Sequence, residues 1–262
     1  MKKSILFVCL LSFSCFASIS NTNKSSIDSR LITLEINAQA GNSKAQFFLS
    51  QIYLQGATGI KKDITKGISW LKKAAETSQR PEIQEYLGEI FHYGYYGETS
   101  FKQAIYWYLK SAENGYASAM DYVGLFYSGG LGGLPQSCAK AIEWFEKAFE
   151  GGFLQAQGNI VWSLATCPNK AHRDGKKALQ LALTVIKNKG KEQAGDLDNL
   201  AAAYAENGDF SQAIQIQKKA ISLLNPQAEP IRLSTFNERL HLYKTGLTWQ
   251  GASNASPADY NQ

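Results

Sequence analysis

The chain has 262 residues, a hydrophobic share of 44%, a net charge of +5 and 4 cysteines. That length allows one or two compact domains or one extended array. Its Lys and Arg are scattered rather than clustered, which argues against a nucleic-acid partner.

At the N-terminus, Lys2 and Lys3 precede an apolar run from Ile5 to Phe16, with small Ala17 and Ser18 behind it. This is the layout of a signal peptide over residues 1–17. The run is shorter than the roughly 20 residues a membrane-spanning helix needs, so no transmembrane span is expected. The mature chain is expected to be periplasmic or secreted, with a lipid anchor at Cys15 as an alternative. Residues 18–26 read as a disordered linker, and residues 250–262, rich in Ser, Ala and Asn, as a disordered tail.

Between those ends the sequence repeats. Gly67, Ala104, Ala141, Ala178 and Ala213 follow one another at spacings of 37, 37, 37 and 35 residues. The first three lie three residues before Trp70, Trp107 and Trp144, and six before Lys73, Lys110 and Lys147. Upstream of each small residue stands an apolar pair one helical turn apart: Leu49 and Tyr53, Leu87 and Phe91, Val123 and Tyr127, Ile160 and Leu164, Leu200 and Tyr204. Such pairs mark a buried helix face. Each unit is therefore helix A, a glycine-bearing turn and helix B, the small residue allowing close approach of the two helices. A lone hairpin cannot bury its apolar face, so neighbours must stack.

The stretches Ala40 to Gln46, Leu87 to Phe91 and Lys140 to Ala148 resemble the Sel-one-like repeat, a relative of the tetratricopeptide repeat. Gly67, in place of the usual Ala, and Arg80-Pro81, in place of a Gly-led turn, depart from the pattern. Asn199 to Tyr204, Asn207 to Phe210, Ala213 and Ala220 resemble an ordinary tetratricopeptide repeat. Leu164 to Pro168 with Arg173 to Ala178 resembles a degenerate repeat before it. The resemblance implies an all-α, right-handed superhelical solenoid of about five helix-turn-helix repeats. We expect an N-terminal capping helix and three Sel-one-like repeats over 27–152, a degenerate repeat plus a tetratricopeptide repeat over 153–228, and a capping helix over 229–249.

Enzymatic chemistry finds little support. Ser137 to Lys140 with Lys244-Thr245-Gly246 echoes strings of serine β-lactamases, but Ser137 sits where a helix N-cap belongs and Lys244 to Gly246 closes a helix. His92, His172 and His241 have no Cys or carboxylate at ligand spacing, so no metal and no cofactor are expected. Cys138 and Cys167 are a disulfide candidate, buried free thiols being the alternative. His92 to Tyr96 reads either as a contact loop or as a turn with solvated tyrosines.

In solenoids of the resembled kind the A helices line the concave side. The A segments (44–55, 82–93, 117–127, 155–165, 196–206) carry seven acids against Lys44 alone, whereas the B segments (63–75, 100–112, 137–150, 174–189, 209–222) carry 13 Lys and six acids. An acidic groove for a basic or neutral partner segment follows as the expectation, with Gln51, Gln55, Glu85, Glu89, Tyr93, Asp121, Trp162, Asp198 and Glu206 facing it. The alternative for Glu82, Asp196 and Asp198 is compensation of helix N-terminal dipoles. The expected function is a non-catalytic protein-binding adaptor; a peptidoglycan-related enzyme or enzyme regulator and a secreted host-interaction factor are the alternatives.

Overall fold

The structure, a computed structural model, describes residues 24–57, 59–78 and 80–250; the expected signal peptide and nearly all of the expected tail lie outside them. Twelve α-helices are present among the described residues: α1 Lys24–Gln39, α2 Ser43–Gln55, α3 Ile64–Thr77, α4 Pro81–Tyr93, α5 Phe101–Glu113, α6 Ala117–Gly129, α7 Cys138–Glu150, α8 Ala156–Thr166, α9 Gly175–Lys189, α10 Ala194–Glu206, α11 Phe210–Ser222 and α12 Pro230–Lys244. The linker expected over 18–26 is corrected at its end, since α1 already begins at Lys24. The described residues form two compact units, unit 1 up to Ser100 and unit 2 from Phe101.

One hydrogen bond recurs in every hairpin turn and explains why the pattern is periodic. The backbone N–H that opens each B helix donates to the carbonyl of the second apolar residue on the A helix. These bonds run from Asp63 to Tyr53 (2.8 Å), Ser100 to Phe91 (2.7 Å), Ser137 to Tyr127 (2.8 Å), Asp174 to Leu164 (3.0 Å) and Asp209 to Tyr204 (3.0 Å). Four of these residues also cap their helices, the side chains of Asp63, Ser137, Asp174 and Asp209 accepting the N–H three residues on. Such caps satisfy donors the helix itself cannot. The small residue of the B helix always falls four positions after this opening residue, so the turn delivers Gly67 to α2 in unit 1, and Ala141, Ala178 and Ala213 to their A helices in unit 2, in fixed register.

The Trp and Lys recurring at 37 residues are also accounted for locally. Lys73 lies 4.3 Å over Trp70, Lys110 5.3 Å over Trp107 and Lys147 4.5 Å over Trp144. Each pair is one turn apart on its own helix, the spacing at which side chains meet.

In unit 1, α1 lays Leu31, Leu34 and Ala38 against the core of Ala45, Leu49 and Tyr53 on α2. Tyr53 also donates its hydroxyl to Glu35, at 2.9 Å. In unit 2 a continuous core runs through α7, α8, α9 and α10, with Phe145, Ile160, Val161, Ala165, Ala178, Ala182 and Leu200 all buried. The A-helix faces turned to their B partners are small: Ala201 and Ala205 pack with Ala213, and a Cβ on Gly124 would meet the Phe145 ring at 2.5 Å.

Helix α12 continues the A-helix register, with Leu240 standing 40 residues after Leu200. At the positions where α10 has Leu197, Ala201 and Ala205, however, α12 has Asn237, His241 and Thr245, all exposed. A polar stripe there gives a further hairpin no apolar surface to bury on that face.

Candidate functional site

The residues expected to face a groove fall in both units, and the structure treats them differently. In unit 1, Gln51 and Gln55 lie one turn apart on α2, the Gln55 amide donating to Gln51 Oε1 at 3.1 Å. Glu85, Glu89 and Tyr93 share one stripe of α4, each half-buried. Gly94 closes this helix in the left-handed region (φ 65°), turning the chain so that Tyr95 stacks on Tyr93 with 5.4 Å between ring centres. Tyr95 remains 45% exposed. Its phenol is pushed up to about 12 by burial, with the Glu89 carboxylate and Tyr93 adding to the shift.

His92, in the same turn, points the other way. It is buried, stacked 4.4 Å from Tyr93, and burial lowers its pKa to about 4. It is a neutral core histidine. Tyr96 is half-buried beneath Lys62, whose Nζ is 5.7 Å from its ring.

In unit 2 the four expected groove residues are taken up by the chain itself, a correction to the reading of the A-helix acids as an open surface. Asp121 is 7% exposed and accepts the Asn159 side-chain amide at 2.8 Å. Burial pushes its carboxyl up to about 7, against the smaller opposing effect of Asn159. Asp198, 4% exposed, accepts from Gln217 Nε2 at 2.8 Å and pairs with Arg239 of α12. It therefore holds a buried cation rather than merely compensating a helix dipole. Trp162 is buried under the same arginine, 4.3 Å from the guanidinium carbon. Glu206 pairs with Arg173 at 3.1 Å, both side chains nearly inaccessible.

The remaining acids divide in the same way. Asp196 binds Lys189 through both oxygens, at 2.8 and 2.9 Å, and exposed Glu82 lies 3.7 Å from Arg80. The acidic character of the A face is thus carried at the surface by α4, not by the whole array.

Cys138 and Cys167 are disulfide-bonded, with their Cα atoms 6.1 Å apart. The bond ties the start of α7 to the end of α8. From there Arg173 donates to the Cys167 carbonyl while holding Glu206, and Asn207 Nδ2 donates to the Gly175 carbonyl at 2.6 Å. One edge of unit 2 is therefore fastened from α7 to α10. Arg173, Gln217, Arg239 and Trp249 were not singled out from sequence. For Arg239 a signal existed: it stands 40 residues after Asn199, which stands 40 after Asn159. Asn159 bonds Asp121 and Asn199 bonds the Gly158 carbonyl (3.0 Å), so all three reach back to the preceding A helix.

An open depression of about 590 Å³ lies on α12, lined by Ser234, Asn237, Glu238, His241, Leu242 and Trp249. It holds none of the expected groove residues. Among the described residues no three His, Cys, Asp or Glu side chains converge as a metal site, and no helix is long and apolar enough to cross a membrane.

Helical hairpins of one repeating register define an α-solenoid repeat protein. Residues 43–76, 81–116 and 117–153 match the Sel1 repeat, so the chain carries three Sel1 repeats. It is 30% identical over 144 residues to chitin synthase regulatory factor 3 of Schizosaccharomyces pombe, covering 52% of this chain and 15% of that protein. It is 38% identical over 61 residues to the ERAD-associated E3 ubiquitin-protein ligase component HRD3A of Arabidopsis thaliana, covering 23% of this chain and 9% of that protein. The chain thus spans only a small part of either relative.

Among solved structures, a Sel1 repeat protein from Oxalobacter formigenes is 32% identical, with 50% of this chain and 96% of that one covered and a TM-score of 0.44. A protective antigen of uropathogenic Escherichia coli with an SLR fold is 24% identical, with 83% and 45% covered and a TM-score of 0.53. The latter likeness is one of fold. Sel1 repeat proteins act as protein-interaction scaffolds.

Proposed function

We propose that this chain is a non-catalytic adaptor of the cell envelope or its exterior, and that the α4 surface engages a basic segment of a partner protein. The observation that carries this reading is the grouping of Glu85, Glu89, Tyr93 and Tyr95 on and just after one helix, where carboxylates adjoin a stacked aromatic pair. Carboxylate beside aromatic face is the chemistry that holds Lys and Arg side chains. The signal-peptide layout of residues 1–17 supports export.

The test is affinity capture on the mature chain, residues 18–262, from a native envelope extract, beside a Glu85→Lys, Glu89→Lys control. A protein retained by the wild type and lost by the control is the expected outcome. Capture that is indifferent to both reversals overturns the assignment of the surface. A regulatory role toward a polysaccharide-building enzyme is a second reading, favoured by the description of the fission-yeast relative as a chitin synthase regulatory factor. Altered activity of an envelope glycan synthase on addition of the purified chain would promote it.

A further inference from the structure

Four A-helix acids of unit 2 lie buried or nearly so, and three of them have a cation, Asp196 being held by Lys189. Asp198 has Arg239, with the Gln217 amide on its other oxygen, and Glu206 has Arg173. Asp121 has only the neutral amide of Asn159. The register explains the difference. Asp121 and Asp198 both stand two residues before the buried Val123 and Leu200 of their helices. The residue reaching back to Asp198 from the next A helix is an arginine, and the one reaching back to Asp121 is an asparagine. The position of Gln217 on the B helix, four residues past Ala213, is filled on α7 by Phe145, four past Ala141. Asp121 therefore lacks both devices that make an ionised carboxylate tolerable at this depth.

The charged groups on the surrounding elements of unit 2 are turned elsewhere. On α5, Lys110 lies over Tyr106 and Trp107, while Lys102 and Glu113 are exposed. On α7, Lys140 lies over Tyr127, Lys147 pairs with Glu143, Glu146 pairs with Lys177 of α9, and Glu150 is exposed. Helix α8 has no charged residue.

We propose that the Asp121–Asn159 contact is an acid-tightened joint between the hairpins α6–α7 and α8–α9: protonated Asp121 closes it, and ionised Asp121 loosens it. The physical cause is the cost of a buried carboxylate without a counter-ion, which the folded chain avoids by keeping the proton, and the direction of the carboxyl's shift agrees. The sign follows from linkage. A carboxyl raised in the closed state and ordinary in the open one favours closure fully below about pH 4, and loses that advantage as the pH rises through about 7. The joint is a property of the scaffold and does not depend on which partner α4 engages.

Amide hydrogen exchange of the full chain at a series of pH values, corrected for the intrinsic chemical rate, reads the opening of α6 and α8. The opening equilibrium is expected to rise by up to about tenfold per pH unit between about 4 and 7 and to level off above that range. In Asp121→Asn this dependence should vanish. In Asn159→Ala, which removes the one group favouring the ionised form, the levelling-off should move to higher pH. Should Asp121→Asn fail to fold, a carbon-13 carboxyl titration of the wild type and of Asn159→Ala gives the same decision. Protection of α6 and α8 that ignores pH, a dependence that persists in Asp121→Asn, or a carboxyl that titrates in the ordinary range overturns the proposal.

Discussion

Arg239 of α12 lies over Trp162 of α8, its guanidinium carbon 4.3 Å from the indole centre. Trp249 closes on the same group at 5.0 Å, and Asp198 takes its charge. The last helix is thereby bound to two earlier ones through a single side chain. Arg239→Ala leaves Asp198 buried without its counter-ion, so that it must take up a proton or stay charged at a cost, and should lower stability by up to about 3 to 5 kcal/mol. Arg239→Lys should be intermediate, since an ammonium keeps the charge and loses the planar stacking. Urea unfolding followed by circular dichroism measures both, and a loss below about 1 kcal/mol for the alanine variant would count against the pair. Asp198→Asn combined with Arg239→Met should lie closer to wild type than Arg239→Ala alone, because no unpaired charge then remains.

Leu54 and Gly67 form a complementary large and small pair where the last two repeats use two alanines, Ala165 with Ala178 and Ala205 with Ala213. A Cβ on Gly67 would sit 2.6 Å from Leu54 Cγ and 3.0 Å from the Leu54 backbone nitrogen. Gly67→Ala gains helix propensity worth about 1 kcal/mol and meets an overpacking cost of about 1 to 3 kcal/mol. The net expectation is a loss of stability. Adding Leu54→Ala should relieve the clash, so the two substitutions should be strongly non-additive. A thermal melt of the two single variants and the double variant decides it.

The disulfide joins residues 29 apart in sequence. Closing a loop of that size removes chain entropy from the unfolded state, equivalent to about 3 to 4 kcal/mol of stability. Cys138→Ser with Cys167→Ser should lower the urea midpoint accordingly. Cys167 is 2% exposed, so mild reductant should act slowly on the folded chain and quickly once urea opens it. Thiol labelling with and without urea checks this order.

Trp249 reaches the Arg239 guanidinium from a short segment beyond α12, while its indole also lines the depression on that helix. Trp249→Ala should destabilise unit 2 by about 1 to 3 kcal/mol. It should also speed exchange of α12 amides while leaving those of α2 and α3 unchanged. Uniform exchange across both units would contradict a local role.

Helices, hairpin order and the stacking register were readable because buried Leu and Val pairs, small residues and cap residues recur at one period, each tied to one backbone bond. The site was less readable for a specific reason. Counting acids by helix located Asp121, Asp198 and Glu206 correctly on A helices but could not show that side chains from other helices and loops bury them. Arg173 comes from a loop and Gln217 from a B helix, and neither follows the 37-residue spacing. Trp249 lies beyond the last helix, where no period applies. Glu85 and Glu89 are only half-buried on α4, a difference no one-dimensional charge pattern distinguishes.

The polar stripe of Asn237, His241 and Thr245 bears on how such a chain could change length. Hairpins can be duplicated upstream while the terminator is inherited intact, because the stop is written in one helix rather than shared among the modules. Deleting that helix would do the opposite: it would strip the arginine from Asp198, bare the alanine-rich edge of α10 and α11, and leave an end able to recruit the start of another copy. The same few side chains therefore keep that alanine-rich edge from serving as a docking surface.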